Sequence, residues 1–159
     1  MTAEDCMRLA LAEADIAALE GEVPVGAVVV RDGEVIARAH NRCAASGDPT
    51  AHAETLAIRE AALSIGARAL PDCVMYVTLE PCAMCAGAVR LARLGGVYYG
   101  AADARQGCCG SVYRLTEDPA LGGLIPASGG VLARECQARL TAFFNALRTL
   151  RRSAPLGKE

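Results

Sequence analysis

Val74-Met75-Tyr76-Val77-Thr78-Leu79-Glu80-Pro81-Cys82-Ala83-Met84-Cys85 is the stretch on which the fold turns. Its first six residues are rich in β-formers and predict a short strand. Pro81 suits the first turn of a helix, which should run to about Leu94, where Gly95-Gly96 stops it. A strand passing straight into a helix is a building unit of α/β domains.

The pattern extends in both directions. Thr2 and Asp5 form a capping pair ahead of Met7, Ala10, Leu11, Ala14 and Ala18, which recur at helical spacing up to Gly21. Val25 to Val30 is a continuous apolar run, as expected of a strand buried on both faces. Asp32-Gly33 is a hairpin turn, and Glu34 to His40 is the returning strand. Asn41 to Ala51 reads as loop. Thr50 can cap a helix from His52 to Ile65, which Gly66 ends.

Beyond Gly96, Val97-Tyr98-Tyr99 predicts a fourth strand. Residues 101 to 128 are loop-rich, with a short fifth strand expected near Leu124-Ile125. A last helix, from about Leu132 to Leu150, carries Leu140, Phe143, Phe144 and Leu147 on its apolar face. This order predicts one sheet sandwiched between helices, an α/β domain. A single domain should occupy residues 1–150, with 151–159 as a short tail.

Composition narrows the class. The chain has 159 residues, 16 Lys and Arg, 18 Asp and Glu, and a net charge of −2. That balance excludes an indiscriminate basic nucleic-acid binder but leaves room for a local basic patch. Of the 53% apolar residues, 32 are alanine, so the larger hydrophobes are at the level of an ordinary globule. The acidic start is unlike a signal peptide, and the apolar run at 23–30 is too short to cross a membrane. The chain is therefore expected in the cytoplasm, where its eight cysteines (6, 43, 73, 82, 85, 108, 109 and 136) stay reduced and clusters of them read as metal-binding or catalytic.

Two segments carry chemistry. Cys82 and Cys85, three apart on a helical first turn, face the same way. His52, in Thr50-Ala51-His52-Ala53-Glu54, can supply a third ligand from another helix N-terminus. One imidazole and two thiolates leave the fourth position of a zinc ion to water, as catalytic zinc sites do. Glu54, two residues past His52, is placed to carry protons beside that open position. Two alternatives remain at this point. Cys82-x-x-Cys85 could be a redox pair, or Cys73 or Cys108 could complete a structural zinc site, which would leave Glu54 without a role.

These residues follow the H-x-E…P-C-x-x-C signature, and the sequence resembles the zinc-dependent nucleoside and nucleobase deaminases. Glu22 to Val28, Asn41-Arg42, Asp48 to Glu54, Val77 to Ala88, Tyr99 to Asp103, Gly110-Ser111, Glu135-Cys136 and Phe143-Phe144 are similar to the bacterial tRNA adenosine deaminases. The resemblance covers the chain to about residue 150. It implies a cytidine deaminase-like fold, a three-layer α/β/α sandwich around a mixed sheet of about five strands. It also implies one zinc per subunit, a homodimer, a tRNA anticodon loop as partner, and hydrolytic conversion of the wobble adenosine to inosine. His52, Cys82 and Cys85 would hold the zinc, and Glu54 would move protons between water, ring nitrogen and departing ammonia. Asn41 and the Ala53 backbone would hold the flipped base, with Leu79 against its face.

Asp103 has two readings. It can be a turn residue, or its carboxylate can accept a hydrogen bond from a ribose hydroxyl and so favour RNA over DNA. Cys43 and Cys108-Cys109 depart from the family pattern and are expected to be buried, inert thiols, with a redox role for the vicinal pair as the alternative. Arg90, Arg93, Arg105, Arg148, Arg151 and Arg152 are candidates for a phosphate-contacting face. A deaminase of free guanine, cytosine or a nucleoside would share the same zinc constellation.

Overall fold

The computed structural model describes residues 1–154. Helix α1 (Ala3–Leu19) starts with the expected capping box: the Thr2 hydroxyl accepts the Asp5 amide, and the Asp5 carboxylate accepts the Thr2 amide. Its buried face, Met7, Ala10, Leu11 and Ala14, lies on strand β1 (Gly26–Arg31). The approach is so close that a Cβ at Gly26 would fall 2.0 Å from the Ala10 carbonyl oxygen.

β1 is buried from Gly26 to Val30, as its unbroken apolar run requires. Asp32 and Gly33 both take positive φ, the mirror-image turn that suits strand twist, and lead into antiparallel β2 (Glu34–His40). A bulge sits opposite Val29 and Val30, which face Ala37 and Val35. The other edge of β1 pairs antiparallel with β3 (Cys73–Leu79). β3 runs parallel to β4 (Gly96–Ala101), which runs parallel to β5 (Ala127–Ser128). The order β2-β1-β3-β4-β5 makes the expected five-stranded mixed sheet.

Helices α3 (Ala53–Ile65) and α4 (Ala83–Ala92) touch each other, and α3 packs on β2 and β1. α1 touches α5 (Ala133–Ser153), which packs on β4 and β3. This is the α/β/α sandwich. The second histidine, His40, ties β2 to α1, with Nδ1 2.9 Å from Glu13 and Nε2 3.0 Å from Glu20.

Several boundaries move for local reasons. The fifth strand lies at Ala127–Ser128, not at Leu124-Ile125; Ile125 is buried instead, and its amide bonds to the Thr116 carbonyl. The expected loop after Asn41 contains a single helical turn, α2 (Cys43–Ser46), whose free amides at Ala44 and Ala45 donate to the buried Glu22 carboxylate. Thr50 does not cap α3: its amide and hydroxyl both bond to Asp48, and His52 is the cap. Pro81 lies just outside α4, whose cap is Cys82. α4 ends at Ala92, with Arg93 in the left-handed conformation. α5 continues past Leu150 to Ser153, so the tail expected at 151–159 begins inside a helix, and residues 155–159 lie outside the described residues. No described helix is long and apolar enough to cross a membrane.

Candidate active site

The two corrected helix starts have one cause. His52 caps α3 and Cys82 caps α4, yet neither side chain bonds to its own helix. Both turn toward the same point, joined by Cys85 from the first turn of α4. The Cys82 and Cys85 sulfurs lie 3.7 and 3.5 Å from His52 Nδ1, and the three donor atoms fall within 4.8 Å of one another. A tetrahedral zinc with Zn–S near 2.3 Å and Zn–N near 2.0–2.1 Å needs sulfur–nitrogen edges of about 3.6 Å. The donors fit. Neither Cys73 nor Cys108 joins the group among the described residues, so one tetrahedral position is left to water.

The electrostatics favour metal capture. The Cys82 thiol is held down to about 4, first by hydrogen bonding from Cys85 and then from His52. Sharing that hydrogen bond, and burial, push Cys85 up. His52 is raised, chiefly by its bond to Cys82. Cys82 is thus the thiol most ready to act as a ligand, and the protons held by its partners would leave as a metal binds. Two helix N-termini aimed at the cluster add positive potential. Glu54, in the first turn of α3, is only 4% exposed, and burial pushes it up to about 7. A carboxyl group poised near neutrality can both accept and return a proton.

Cluster and acid open into a cavity of about 880 Å³. Asn41, His52, Glu54, Leu79, Cys82 and Asp103 line it, while Ala53 and Cys85 are fully buried behind its wall. The Asn41 side-chain oxygen accepts the Ala53 amide at 2.9 Å. The Ala53 amide, expected to help hold the base, is instead taken up by Asn41 and orients that side chain, whose amide nitrogen is left as a donor. Asp103 makes the turn: one carboxylate oxygen accepts the amides of Arg105 and Gln106 at 2.9 and 3.1 Å. It also stands at the cavity wall, so the two readings of this residue are compatible in space.

Of the candidate arginines, Arg105, Arg148 and Arg151 line the cavity. Arg90 does not: its guanidinium donates to the carbonyls of Leu115, Thr116, Leu121 and Gly123 and staples that loop to α4. All eight cysteines are free. Cys108 and Cys109 are buried, and burial raises both thiols, Cys109 to about 12. Cys43 is half-buried, not buried, and is also raised by desolvation.

Sequence reasoning named Leu140, Phe144 and Leu147 as an apolar face and Arg148 and Arg151 as phosphate candidates, but missed that they form one wall of the cavity together with Gln137 and Thr141. Gln137, Leu140, Thr141, Phe144, Leu147, Arg148 and Arg151 recur at helical spacing along one face of α5, and every one of them lines the cavity. The signal in the sequence is the change along that stripe. It is apolar at Leu140, aromatic and 42% exposed at Phe144, and cationic at its end.

Residues 1–101 match the model of the cytidine and deoxycytidylate deaminase zinc-binding region. Over 148 residues the chain is 45% identical to the tRNA-specific adenosine deaminase of Bacillus subtilis (strain 168), covering 93% of this chain and 92% of that one. A structure from a study of A-to-I editing by tRNA:A34 deaminases superposes with a TM-score of 0.82 at 43% identity, covering 86% of this chain and 99% of that one. The guanine deaminase of Bacillus subtilis is more distant, with a TM-score of 0.64 and 33% identity over 99% of each chain. The ligand spacing, the buried acid and the match along nearly the whole chain agree: the chain belongs to the tRNA-specific adenosine deaminase family of zinc-dependent deaminases.

Proposed function

We propose that this protein converts the wobble adenosine of a tRNA anticodon to inosine by hydrolytic deamination, with one zinc per subunit. The observation that carries the reading is the composition of the cavity. A metal cluster and a buried acid lie at its floor, and an exposed phenylalanine with two arginines lies on its α5 wall. A free base would use the floor alone. Stacking and phosphate contacts on the wall suit a base presented by a nucleic-acid strand.

His52, Cys82 and Cys85 would hold the zinc, which supplies the positive charge that brings a water toward neutral pKa. The chain's own residues do the rest. Glu54 takes the proton from the attacking water as oxygen adds to the amine-bearing ring carbon. It returns that proton to the ring nitrogen, then carries the proton of the added hydroxyl to the amine, so that ammonia leaves as the carbonyl forms. Asn41, held by the Ala53 amide, donates to the flipped base, and Leu79 packs against its face. Asp103 accepts a ribose hydroxyl with the oxygen not used in its turn. Phe144 and Leu147 support a neighbouring base, and Arg105, Arg148 and Arg151 face phosphates.

The same reading covers a single catalytic domain over residues 1–150, a cytoplasmic location and a homodimer. Exposed Leu91 on α4 and Val112, Tyr113, Leu121 and Leu124 in the following loop give the dimer an apolar surface. Light scattering in dilute solution should report twice the chain mass.

The deciding assay supplies the zinc-loaded protein with an anticodon stem-loop carrying a wobble adenosine. Parallel reactions contain free adenosine, cytidine and guanine. Inosine should form in the RNA alone. Xanthine from guanine without inosine in the RNA would replace the proposal with a free-base deaminase.

A further inference from the structure

The chemistry above leaves a buried acid without a role. Glu80 follows the last residue of β3 and stands two residues before Cys82, yet it is not part of the metal cluster. It is 2% exposed, and no cationic side chain pairs with it among the described residues. A buried carboxylate without a counter-ion is costly unless its surroundings are built for it.

They are built from one loop. Glu80 Oε1 accepts the Ser111 hydroxyl at 2.9 Å. Burial, with the Glu80 carboxylate beside it, pushes the Tyr99 hydroxyl up to about 12. Oε2 has no protein partner among the described residues, and the chain at residue 107 passes directly over it. A Cβ on Gly107 would fall 1.2 Å from that oxygen, so only glycine lets the backbone cross there. Backbone bonds close the wrap: Glu80 amide to the Ala101 carbonyl at 2.9 Å, Cys108 amide to the Pro81 carbonyl at 2.8 Å, and Gly107 amide to the Asp103 carbonyl at 2.9 Å. The inner side of the 101–111 loop is thus folded around the Glu80 carboxylate. The same loop presents Asp103, Arg105 and Gln106 to the cavity, whose lining Glu80 itself also reaches.

We propose that Glu80 is a positioning residue for substrate recognition, anchoring the 101–111 loop from within and so setting where Asp103, Arg105 and Gln106 meet the RNA. The proposal rests on the reading of the cavity as an RNA site. It separates Glu80 from the metal, because His52 and Glu54 stand on α3 and both cysteine ligands on α4, outside the loop. Loss of the anchor should weaken RNA capture and leave both metal and chemical step in place.

The test uses the full-length, zinc-loaded protein with Glu80→Gln, Glu80→Ala and Ser111→Ala. Zinc content, kcat and KM on the anticodon stem-loop are measured, together with amide hydrogen exchange across residues 103–111 without RNA. Glu80→Gln keeps an oxygen acceptor for Ser111 and should hold KM within about threefold of wild type. Glu80→Ala should raise KM by about tenfold with kcat within about threefold, bind one zinc, and speed exchange in the loop. Ser111→Ala should move KM and exchange in the same direction by less.

Unchanged KM and unchanged exchange in Glu80→Ala would overturn the proposal. So would loss of zinc from Glu80→Ala with Ser111→Ala behaving as wild type. If Glu80→Ala does not fold, Ser111→Ala decides, and wild-type values for its KM and exchange overturn the proposal. The exchange measurement needs no substrate. A wild-type protein inactive on RNA would therefore sink the proposed function while the exchange data still judged the anchor.

Discussion

The floor of the cavity and its mouth are built on different physics. The floor takes four functional side chains from two helix starts, His52 and Glu54 on α3 and Cys82 and Cys85 on α4. Each pair is fixed by the geometry of a single turn, and Glu54 and Cys85 are buried. The mouth is assembled from the 103–106 loop and the end of α5, some 40 residues apart in sequence and largely exposed. On the proposed function, the floor places atoms for one reaction and the mouth selects what reaches it. On this division, substitutions at the floor should abolish turnover without changing RNA affinity, and substitutions at the mouth should do the reverse.

The largest effect belongs to the ligands. Cys82→Ala, Cys85→Ala or His52→Ala should lose the zinc, and activity with it, because three donors cannot be reduced to two without losing most of the affinity. Metal analysis after dialysis checks this, and one zinc per chain in any of the three would undo the ligand assignment. Next is Glu54→Gln, which keeps shape and metal but cannot carry the proton. Turnover should fall by roughly 10²–10⁴-fold with zinc content and stem-loop affinity unchanged. Activity within a few-fold of wild type would take Glu54 out of the mechanism.

At the mouth the signature inverts. Phe144→Ala should weaken stem-loop binding by roughly ten- to a hundredfold if a base rests on the ring. Arg148→Ala and Arg151→Ala should each weaken binding less and flatten its salt dependence, by about one unit of log–log slope for each phosphate no longer neutralised. Single-turnover rates at saturating RNA should stay near wild type in all three. A drop in that rate with unaltered affinity would mean that α5 shapes the floor as well as the mouth.

The same division explains what was legible in the sequence. Cys82 and Cys85 lie within one helical turn and His52 and Glu54 within another, so both pairs stand out in the order of residues, and the resemblance to the deaminases joins them as a zinc site. Strand order followed the hydrophobic runs well enough to give a five-stranded sheet. Helix starts were misplaced by one or two residues, because Thr50 and Pro81 carry strong local signals that lose to the metal cluster: its ligands His52 and Cys82 occupy the cap positions themselves. β5 was displaced because two residues of strand carry almost no pattern, and only the pairing of Ala127 and Ser128 with Val97 and Tyr98 defines them. The α5 stripe was legible as amphipathic, but nothing in the spacing says whether such a face meets a core or an open cavity. Glu80 was hidden for a related reason: a carboxylate beside a ligand motif is ordinary, and its burial under Gly107 is a tertiary fact.

Asp103 gives the smallest expected effect and the sharpest test of the mouth. Its turn role uses one carboxylate oxygen, which accepts two loop amides. An asparagine side chain can supply the same oxygen in the same place, so Asp103→Asn should preserve the loop and remove only the charge. Asp103→Ala would remove both, and a change seen with alanine alone would report the turn. On the proposed reading, the carboxylate gains a ribose hydroxyl as donor against RNA. Against DNA of the same sequence that donor is absent, and an unpaired carboxylate stands near phosphate. The asparagine variant therefore loses an attraction toward one substrate and a repulsion toward the other. The ratio of RNA to single-stranded DNA deamination should fall by roughly tenfold, largely through faster reaction on DNA, with zinc content unchanged. The ratio is measured by competing the two substrates in one reaction. An unchanged ratio with intact loop exchange would leave Asp103 as a turn residue and move substrate choice to the arginines and the aromatic wall.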